Sequence, residues 1–109
     1  MSEYLFSYGT LQKAEVQLRL FGRLLDGTKD SLTGYKTSKV EITDDAFLAK
    51  GEQNVQLTAT LSADGLIEGM AFELTADELT HADTYEPAEY SRVVVMLASG
   101  KKAWVYLKI

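Results

Sequence analysis

The order in which strand and helix patterns follow one another constrains the fold of this chain more than any other sequence feature. Residues 55–61 alternate apolar and polar side chains, which is typical of a strand with one solvated face. Helical spacing is restricted to two short segments, and we predict about six strands and two short helices. Because strands and helices do not alternate, the pattern excludes a doubly wound parallel sheet. It favours an α+β fold with a mixed, strongly curved sheet or small β-barrel and the helices packed outside, and we predict the barrel.

The predicted strands are separated by short turns and loops. The first strand precedes Gly9, and the others occupy residues 32–42, 55–61, 66–74, 90–97 and 102–108. Asp26-Gly27 predicts a turn before the second strand, and Asp64-Gly65 predicts a hairpin turn between the third and the fourth. Ser99-Gly100 predicts the turn of a final hairpin. Residues 46–54 are predicted to form a loop with up to one helical turn.

The two helices have recognisable ends. The first is predicted from Gln12 or Lys13 to Phe21, because Gly22 stands where the C-terminal glycine of a helix belongs. The second is predicted to begin after a capping box, Thr75-Ala76-Asp77-Glu78, and to end near residue 85. A proline at position 87 cannot continue it, and that proline restricts the residue before it to extended conformations.

Length and charge limit the classes of function. The 109 residues suffice for one domain with its own core, so we predict a single domain spanning residues 1–109. A net charge of −5 with scattered Lys and Arg argues against a phosphate-backbone binder, so no nucleic-acid partner is expected. The sequence has no cysteine, which excludes disulfides, thiol nucleophiles and cysteine-based metal sites. It shows neither a signal peptide nor an apolar run long enough for a membrane span, and we expect a cytoplasmic protein.

The first candidate functional segment is Tyr8-Gly9-Thr10-Leu11, which follows the first strand. A strand that enters a glycine turn leaves backbone N–H groups pointing out of the fold, and these donors suit an anionic or carbonyl oxygen of a substrate. A plain strand-ending turn is the alternative. The segment is too short for a phosphate-binding glycine loop, and the sequence has no Gly-Lys-Ser/Thr.

The second candidate is Glu86. Leu79, Ala82 and Glu86 lie on one stripe of the second helix, and the apolar members mark that stripe as buried. A carboxylate in this place either finds a cationic partner or has a raised pKa, which suits a general acid/base near neutral pH. The alternative is that Glu86 turns outward and pairs with Arg92.

Three neighbouring residues are assigned other roles. Asp83, one turn before Glu86, is interpreted as structural, bound to local backbone or to an arginine. Arg92 either holds a substrate carboxylate or steadies one of these two acids. His81 is the only histidine and is expected to face solvent. Without a Gly-x-Ser-x-Gly turn, a Ser-His-Asp hydrolase is excluded.

In combination, these segments resemble the gamma-glutamylcyclotransferase-like family, which includes gamma-glutamylamine cyclotransferases and the plant AIG2-like proteins. Tyr8-Gly9-Thr10-Leu11 is similar to the family's Tyr-Gly-Thr-Leu signature. Asp83-Thr84-Tyr85-Glu86 followed by Tyr90-Ser91-Arg92 is similar to its second signature. Phe21-Gly22-Arg23 and Ala103-Trp104-Val105-Tyr106 resemble a bacterial branch. The resemblance spans essentially the whole chain.

The resemblance implies a small mixed barrel surrounded by helices, and an enzyme that cyclises a gamma-glutamyl group to 5-oxoproline with release of an amine or amino acid. It implies that the loop residues Tyr8, Gly9, Thr10 and Leu11 bind the glutamyl group of a small-molecule substrate and that Glu86 is the catalytic general acid/base. Because the substrate's own α-amine is the nucleophile, the implied reaction requires no metal or cofactor.

Two positions depart from the family's pattern. Pro87 stands where a glycine commonly follows the glutamate, and Ala82 stands where a leucine commonly precedes the aspartate. The identity of the leaving group and the oligomeric state are left open. The alternative function is a catalytically silent module of the same fold that binds a small ligand or a partner, and the carboxylate at position 86 favours the enzyme.

Overall fold

The structure is a computed structural model that describes residues 2–51 and 54–108. In chain order its elements are β1 (Ser2–Ser7), a 3-10 turn (Thr10–Gln12), α1 (Ala14–Phe21), β2 (Asp26–Glu41), α2 (Asp45–Leu48), β3 (Val55–Thr75), α3 (Ala76–Tyr85), β4 (Tyr90–Met96) and β5 (Lys102–Lys108). Within the described residues, the strands form one sheet in the order β2-β3-β1-β5-β4. The strands β1 and β5 are parallel and the other pairs are antiparallel, so the predicted α+β class with a mixed sheet is confirmed.

The sheet is strongly curved but open. The Lys108 N–H in β5 donates to Thr58 Oγ1 in β3 at 2.8 Å, although β1 lies between these two strands in the sheet. The Tyr90 hydroxyl at the start of β4 donates to the Leu57 carbonyl in β3 at 2.6 Å. In the part of the chain that the structure describes, the edge strands β2 and β4 do not pair with each other. The expectation of a closed barrel is therefore wrong.

The sheet also has one strand fewer than expected, because the predicted strands 55–61 and 66–74 are parts of the continuous strand β3. Asp64-Gly65 lies inside β3, beside a register shift of β2 between Thr33 and Tyr35. A Cβ atom on Gly65 would clash with the Tyr35 carbonyl oxygen. Glycine is therefore required here by the close approach of two backbones at an irregularity of the ladder, and not by a hairpin turn.

Asp26-Gly27 is likewise not a turn. These two residues begin β2 and pair with β3. A Cβ atom on Gly27 would lie 2.6 Å from the Phe72 ring, so this glycine too permits a close contact between strands.

The second strand is longer than predicted, since it begins at Asp26 and not at Leu32, whereas the predicted helix ends and the final hairpin are confirmed. Gly22 ends α1 in the left-handed conformation, with φ of 70° and its N–H donating to Leu18 O at 2.9 Å. At the start of α3, Thr75 Oγ1 accepts from the Glu78 N–H at 3.1 Å, and Glu78 Oε1 accepts from the Thr75 N–H at 2.9 Å. The described part of the predicted loop contains the single turn α2, whereas residues 52 and 53 of that loop lie outside the described residues. The strand β4 pairs with β5 as the final hairpin.

The buried side chains form two clusters. Leu5 and Phe6 are neighbours in β1 but belong to different clusters, because successive side chains of a strand point to opposite faces of the sheet. The Leu5 cluster includes the apolar faces of the helices: Val16 of α1, Phe47 of α2, and Leu79, Ala82 and Tyr85 of α3. The helices therefore cover one face of the sheet. None of the helices in residues 2–51 and 54–108 combines the length and the apolar character needed to cross a bilayer.

Candidate active site

A cavity of about 270 Å³ lies where the loop after β1 meets the end of α3. Tyr8, Gly9 and Leu11 of that loop line it, and so does Glu86. The structure thus brings the two sequence motifs, far apart along the chain, to one concave surface. A cavity of this size suits a small molecule rather than a polymer.

The loop after β1 contributes both backbone and side chains to the cavity. Tyr8 is half-buried and its hydroxyl donates to the Tyr106 carbonyl oxygen at 2.7 Å. Gly9 is exposed, and its N–H donates to Ser7 Oγ at 3.4 Å, which is long for a hydrogen bond. Leu11 is buried. Thr10 begins the 3-10 turn, but its side chain lies outside the described residues.

Glu86 is the C-cap of α3. Its N–H donates to Ala82 O at 3.2 Å, whereas its own φ of −69° and ψ of 152° are extended. The following Pro87 favours this conformation. Leu79 and Ala82 are buried, and Glu86 is half-buried and lines the cavity. The helical stripe thus continues into the cavity, as the spacing predicted.

Three tyrosines, Tyr8, Tyr90 and Tyr106, line the cavity together with Glu86. Burial raises the pKa of Tyr8 and of Tyr106 far above the ordinary value of 10.0, and the negative charge of Glu86 adds to both shifts. Burial and the same charge raise the pKa of Tyr90 to about 12. All three phenols are therefore neutral at physiological pH and act as hydrogen-bond donors, not as phenolate nucleophiles.

A second, more open cavity of about 450 Å³ adjoins the first, and Glu86, Tyr90 and Tyr106 line both. Here Arg92 donates to both carboxylate oxygens of Asp83, at 2.8 and 2.9 Å. The Tyr106 hydroxyl also donates to Asp83, at 2.6 Å. Asp83 is therefore bound by an arginine, as its structural interpretation predicted. Of the two roles considered for Arg92, the structure shows the one in which it steadies an acid, Asp83.

Sequence reasoning missed several residues that line the first cavity. Phe47 comes from α2, Gln56 and Leu57 come from the start of β3, and Lys13 precedes α1. Nothing local in the sequence marks Phe47 or Leu57 as cavity residues. The packing of α2 places Phe47 there, and the path of β3 past β5 places Leu57 there. Lys13 had a signal, since it lies only two residues after the candidate segment Tyr8-Gly9-Thr10-Leu11.

The histidine and the carboxylates of the described residues are not arranged as a metal site. His81 is exposed, as expected from its place between the apolar positions of α3. Residues 2–51 and 54–108 contain no group of three or more His, Asp or Glu side chains placed to hold a metal ion.

A comparison with protein-family profiles matches residues 5–108 to a family described as gamma-glutamyl cyclotransferase, AIG2-like. The chain belongs to this family. The match includes both the loop after β1 and Glu86, and the resemblance inferred from the two motifs is confirmed. A search of curated proteins gave no significant match.

Solved structures share the fold of this gamma-glutamyl cyclotransferase, AIG2-like family member. The solution structure of At5g39720.1 from Arabidopsis thaliana is 21% identical with a TM-score of 0.79, and the alignment covers 99% of this chain and 69% of that chain. The solution structure of At3g28950.1 from the same plant is 22% identical with a TM-score of 0.75, covering 99% and 62%. A structure named gamma-glutamyl cyclotransferase is 15% identical with a TM-score of 0.78, covering 100% and 68%. The chain thus spans 62–69% of the length of these structures, and at such identities the likeness establishes the fold alone.

Proposed function

We propose that this protein cyclises the gamma-glutamyl group of a small conjugate to 5-oxoproline and releases an amine or an amino acid. The observation that carries the proposal is the position of Glu86, which lines the same cavity as Tyr8, Gly9 and Leu11. Membership of the gamma-glutamyl cyclotransferase, AIG2-like family supports it.

In the proposed reaction, the α-nitrogen of the substrate attacks its own γ-carbonyl carbon. The new carbon–nitrogen bond closes the lactam ring, and the bond from the same carbon to the leaving nitrogen breaks. Glu86 accepts a proton from the α-ammonium so that the free amine can attack, and the α-nitrogen loses a second proton as the ring closes. The leaving nitrogen receives both protons, one of them through Glu86, and departs as an ammonium, so protons and charge balance. Because the attack is intramolecular, the reaction is accelerated most when the protein holds the α-nitrogen of the substrate next to its γ-carbonyl carbon. The scheme requires no cofactor and no metal.

The loop after β1 supplies the donor for the negative charge that develops on the γ-oxygen. The long contact between the Gly9 N–H and Ser7 Oγ, 3.4 Å, is weak, so this N–H can be redirected to a substrate oxygen at little cost. The Tyr8 hydroxyl is already bound to the Tyr106 carbonyl. We therefore assign Gly9 as the oxyanion donor and Tyr8, Thr10 and Leu11 as the surrounding substrate-binding residues.

The test is an assay of 5-oxoproline release from a panel of gamma-glutamyl amino acids and amines. We expect the wild-type protein to be active, and Glu86→Gln to lose at least about 100-fold in kcat because the amide cannot accept the proton. Glu41→Gln, on an exposed position of β2, is the matched control and should retain activity. A Glu86→Gln variant with undiminished kcat would contradict the role of Glu86. If the wild-type protein binds 5-oxoproline but forms none, the silent ligand-binding module is correct instead.

We also propose that the protein acts in the cytoplasm on a small molecule, without a nucleic-acid or membrane partner. A net charge of −5 and a cysteine-free sequence support this assignment. Cell fractionation tests it, with the chain expected in the cytoplasmic fraction.

A further inference from the structure

The segment that carries Glu86 is held from one side by the connection between β2 and β3. Three side chains of this connection contact residues 84–88, and we call them the α2 clasp: Asp44, Phe47 and Lys50. The sequence predicted a loop with up to one helical turn over residues 46–54, and it did not predict these contacts. The contacts of the clasp are directed at the backbone on both sides of Glu86.

Lys50 binds the backbone before Glu86. Its Nζ donates to the Thr84 carbonyl oxygen at 2.8 Å and to the Tyr85 carbonyl oxygen at 3.2 Å. These carbonyls belong to the last turn of α3, where no further turn of helix satisfies them and a positive charge is favourable. The Tyr85 carbonyl is part of the peptide group that joins Tyr85 to Glu86, so Lys50 fixes the plane of that peptide.

Asp44 binds the backbone after Glu86. Its Oδ2 accepts from the Ala88 N–H at 2.8 Å, and its Oδ1 accepts from the Ala46 N–H at 3.2 Å as the N-cap of α2. Because both oxygens are bound, the carboxylate has a defined orientation. The Ala88 N–H belongs to the peptide group that joins Pro87 to Ala88, so only Glu86 and Pro87 lie between the two fixed peptides.

The conformation of these two residues is restricted further. Pro87 has a fixed φ and limits Glu86 to extended conformations. Phe47 is buried, lines the first cavity together with Pro87, and packs edge-on against Tyr85 with ring centroids 5.9 Å apart. The backbone of Glu86 is therefore constrained from both ends, and its side chain starts from a fixed point.

We propose that Asp44 and Lys50 are positioning residues for the reaction, which hold the backbone of Glu86 so that its carboxylate reaches the substrate nitrogen. This inference rests on the proposed function. A displacement of a catalytic group by about 1 Å can cost about 100-fold in rate, so loss of either contact is expected to lower kcat more than it weakens substrate binding.

The experiment compares Asp44→Ala and Lys50→Met with matched controls. Asp45→Ala removes an exposed aspartate one residue away, and Lys36→Met removes an exposed lysine of β2. We expect kcat to fall at least about tenfold in the two clasp variants with KM within about twofold of wild type, and both constants to be unchanged in the controls. Asp44→Asn and Lys50→Arg keep an acceptor and a donor, and they should restore most of the lost kcat. If Asp44→Ala does not fold, Lys50→Met and the two conservative variants still test the proposal.

Amide hydrogen exchange gives a second readout that does not depend on activity. Loss of the Asp44 contact should accelerate exchange of the Ala88 N–H at least about tenfold, whereas Asp45→Ala should leave it unchanged. Unaltered exchange, unaltered kcat, or a loss confined to KM would each overturn the positioning role. If the wild-type protein forms no 5-oxoproline, the proposed function fails and the catalytic role of the clasp fails with it. The exchange data then still decide whether the clasp holds the Glu86 segment.

Discussion

Two carboxylates one helical turn apart, Asp83 and Glu86, illustrate how single residues of α3 divide their roles. Asp83 accepts from Arg92 and from the Tyr106 hydroxyl, and the Arg92 guanidinium lies 4.3 Å from the centroid of the Trp104 ring. These contacts bind the last turn of α3 to the β4–β5 hairpin. Glu86, by contrast, ends the helix at the cavity. Asp83 thus anchors the last turn of α3, and Glu86 lies at the cavity directly after that turn.

We expect Asp83→Asn to lower the free energy of unfolding by about 1 kcal/mol. The estimate is modest because the Asp83 side chain is 38% exposed, so water replaces part of the lost interaction. Urea denaturation measures the change, and Glu41→Gln, at an exposed position of β2, is the control and should leave the stability unchanged. Equal stability of Asp83→Asn and Glu41→Gln would contradict the assignment of Asp83 as the anchor.

Among the elements, α3 owes its starting point to local contacts, and an exposed ion pair joins that starting point to the end of α1. The capping box of Thr75 and Glu78 fixes the first turn, and Arg23 donates to both oxygens of Glu78 at 2.8 Å. Arg23 directly follows Gly22, the residue that ends α1. The ion pair therefore connects the end of α1 to the start of α3.

This ion pair predicts a dependence of stability on acidity. Hydrogen bonds from Arg23, with those of Thr75, lower the pKa of Glu78 from 4.5 to about 2. A lowered pKa in the folded state means that the stabilisation is complete above pH 4.5 and is lost as the pH falls towards 2. We expect Glu78→Gln to remove the part of the loss of stability at low pH that is due to protonation of Glu78. Thermal unfolding between pH 2 and 6 measures it, and equal slopes for variant and wild type would refute the expectation.

The elements that could be predicted from the sequence are those with local causes. Gly22 as a helix end, the capping box at Thr75, and the stripe that leads to Glu86 each depend on residues within a few positions of one another. The prediction of a turn at Gly65 was wrong because the reason for this glycine is not local. The Tyr35 carbonyl oxygen that approaches Gly65 belongs to the neighbouring strand β2. The same applies to Phe47, whose place in the cavity depends on where α2 packs. The two motifs of the candidate site could therefore be predicted from the sequence, but the other residues that line the cavity could not.

The shape of the whole molecule depends on contacts between strands that are not neighbours in the sheet. Thr58 is buried, and its hydroxyl accepts from the Lys108 N–H across the curve of the sheet. The Tyr90 hydroxyl makes a similar contact with Leu57. Leu57 and Tyr90 line the cavity, and Thr58 is the next residue of β3. The two hydrogen bonds that hold the sheet in its curved shape therefore also hold the cavity wall in place.

We expect Thr58→Val to lower the free energy of unfolding by about 1–2 kcal/mol, because it leaves the Lys108 N–H without its acceptor at a half-buried position. Thr37→Val, at an exposed position of β2, is the matched control. Urea unfolding at constant m-value measures both. Equal stability of the two variants would show that the contact does not maintain the curvature.

The parallel pairing of β1 with β5, at Leu5 and Trp104, has a consequence for the time course of synthesis. The strand β1 leaves the ribosome early and can pair with β3, but its other neighbour emerges almost a hundred residues later. Tyr106, which forms one wall of the cavity, arrives on that same late strand. A nascent chain that lacks β5 therefore lacks the Tyr106 wall of the cavity. In such a chain one edge of β1, which lies in the middle of the finished sheet, has no strand to pair with.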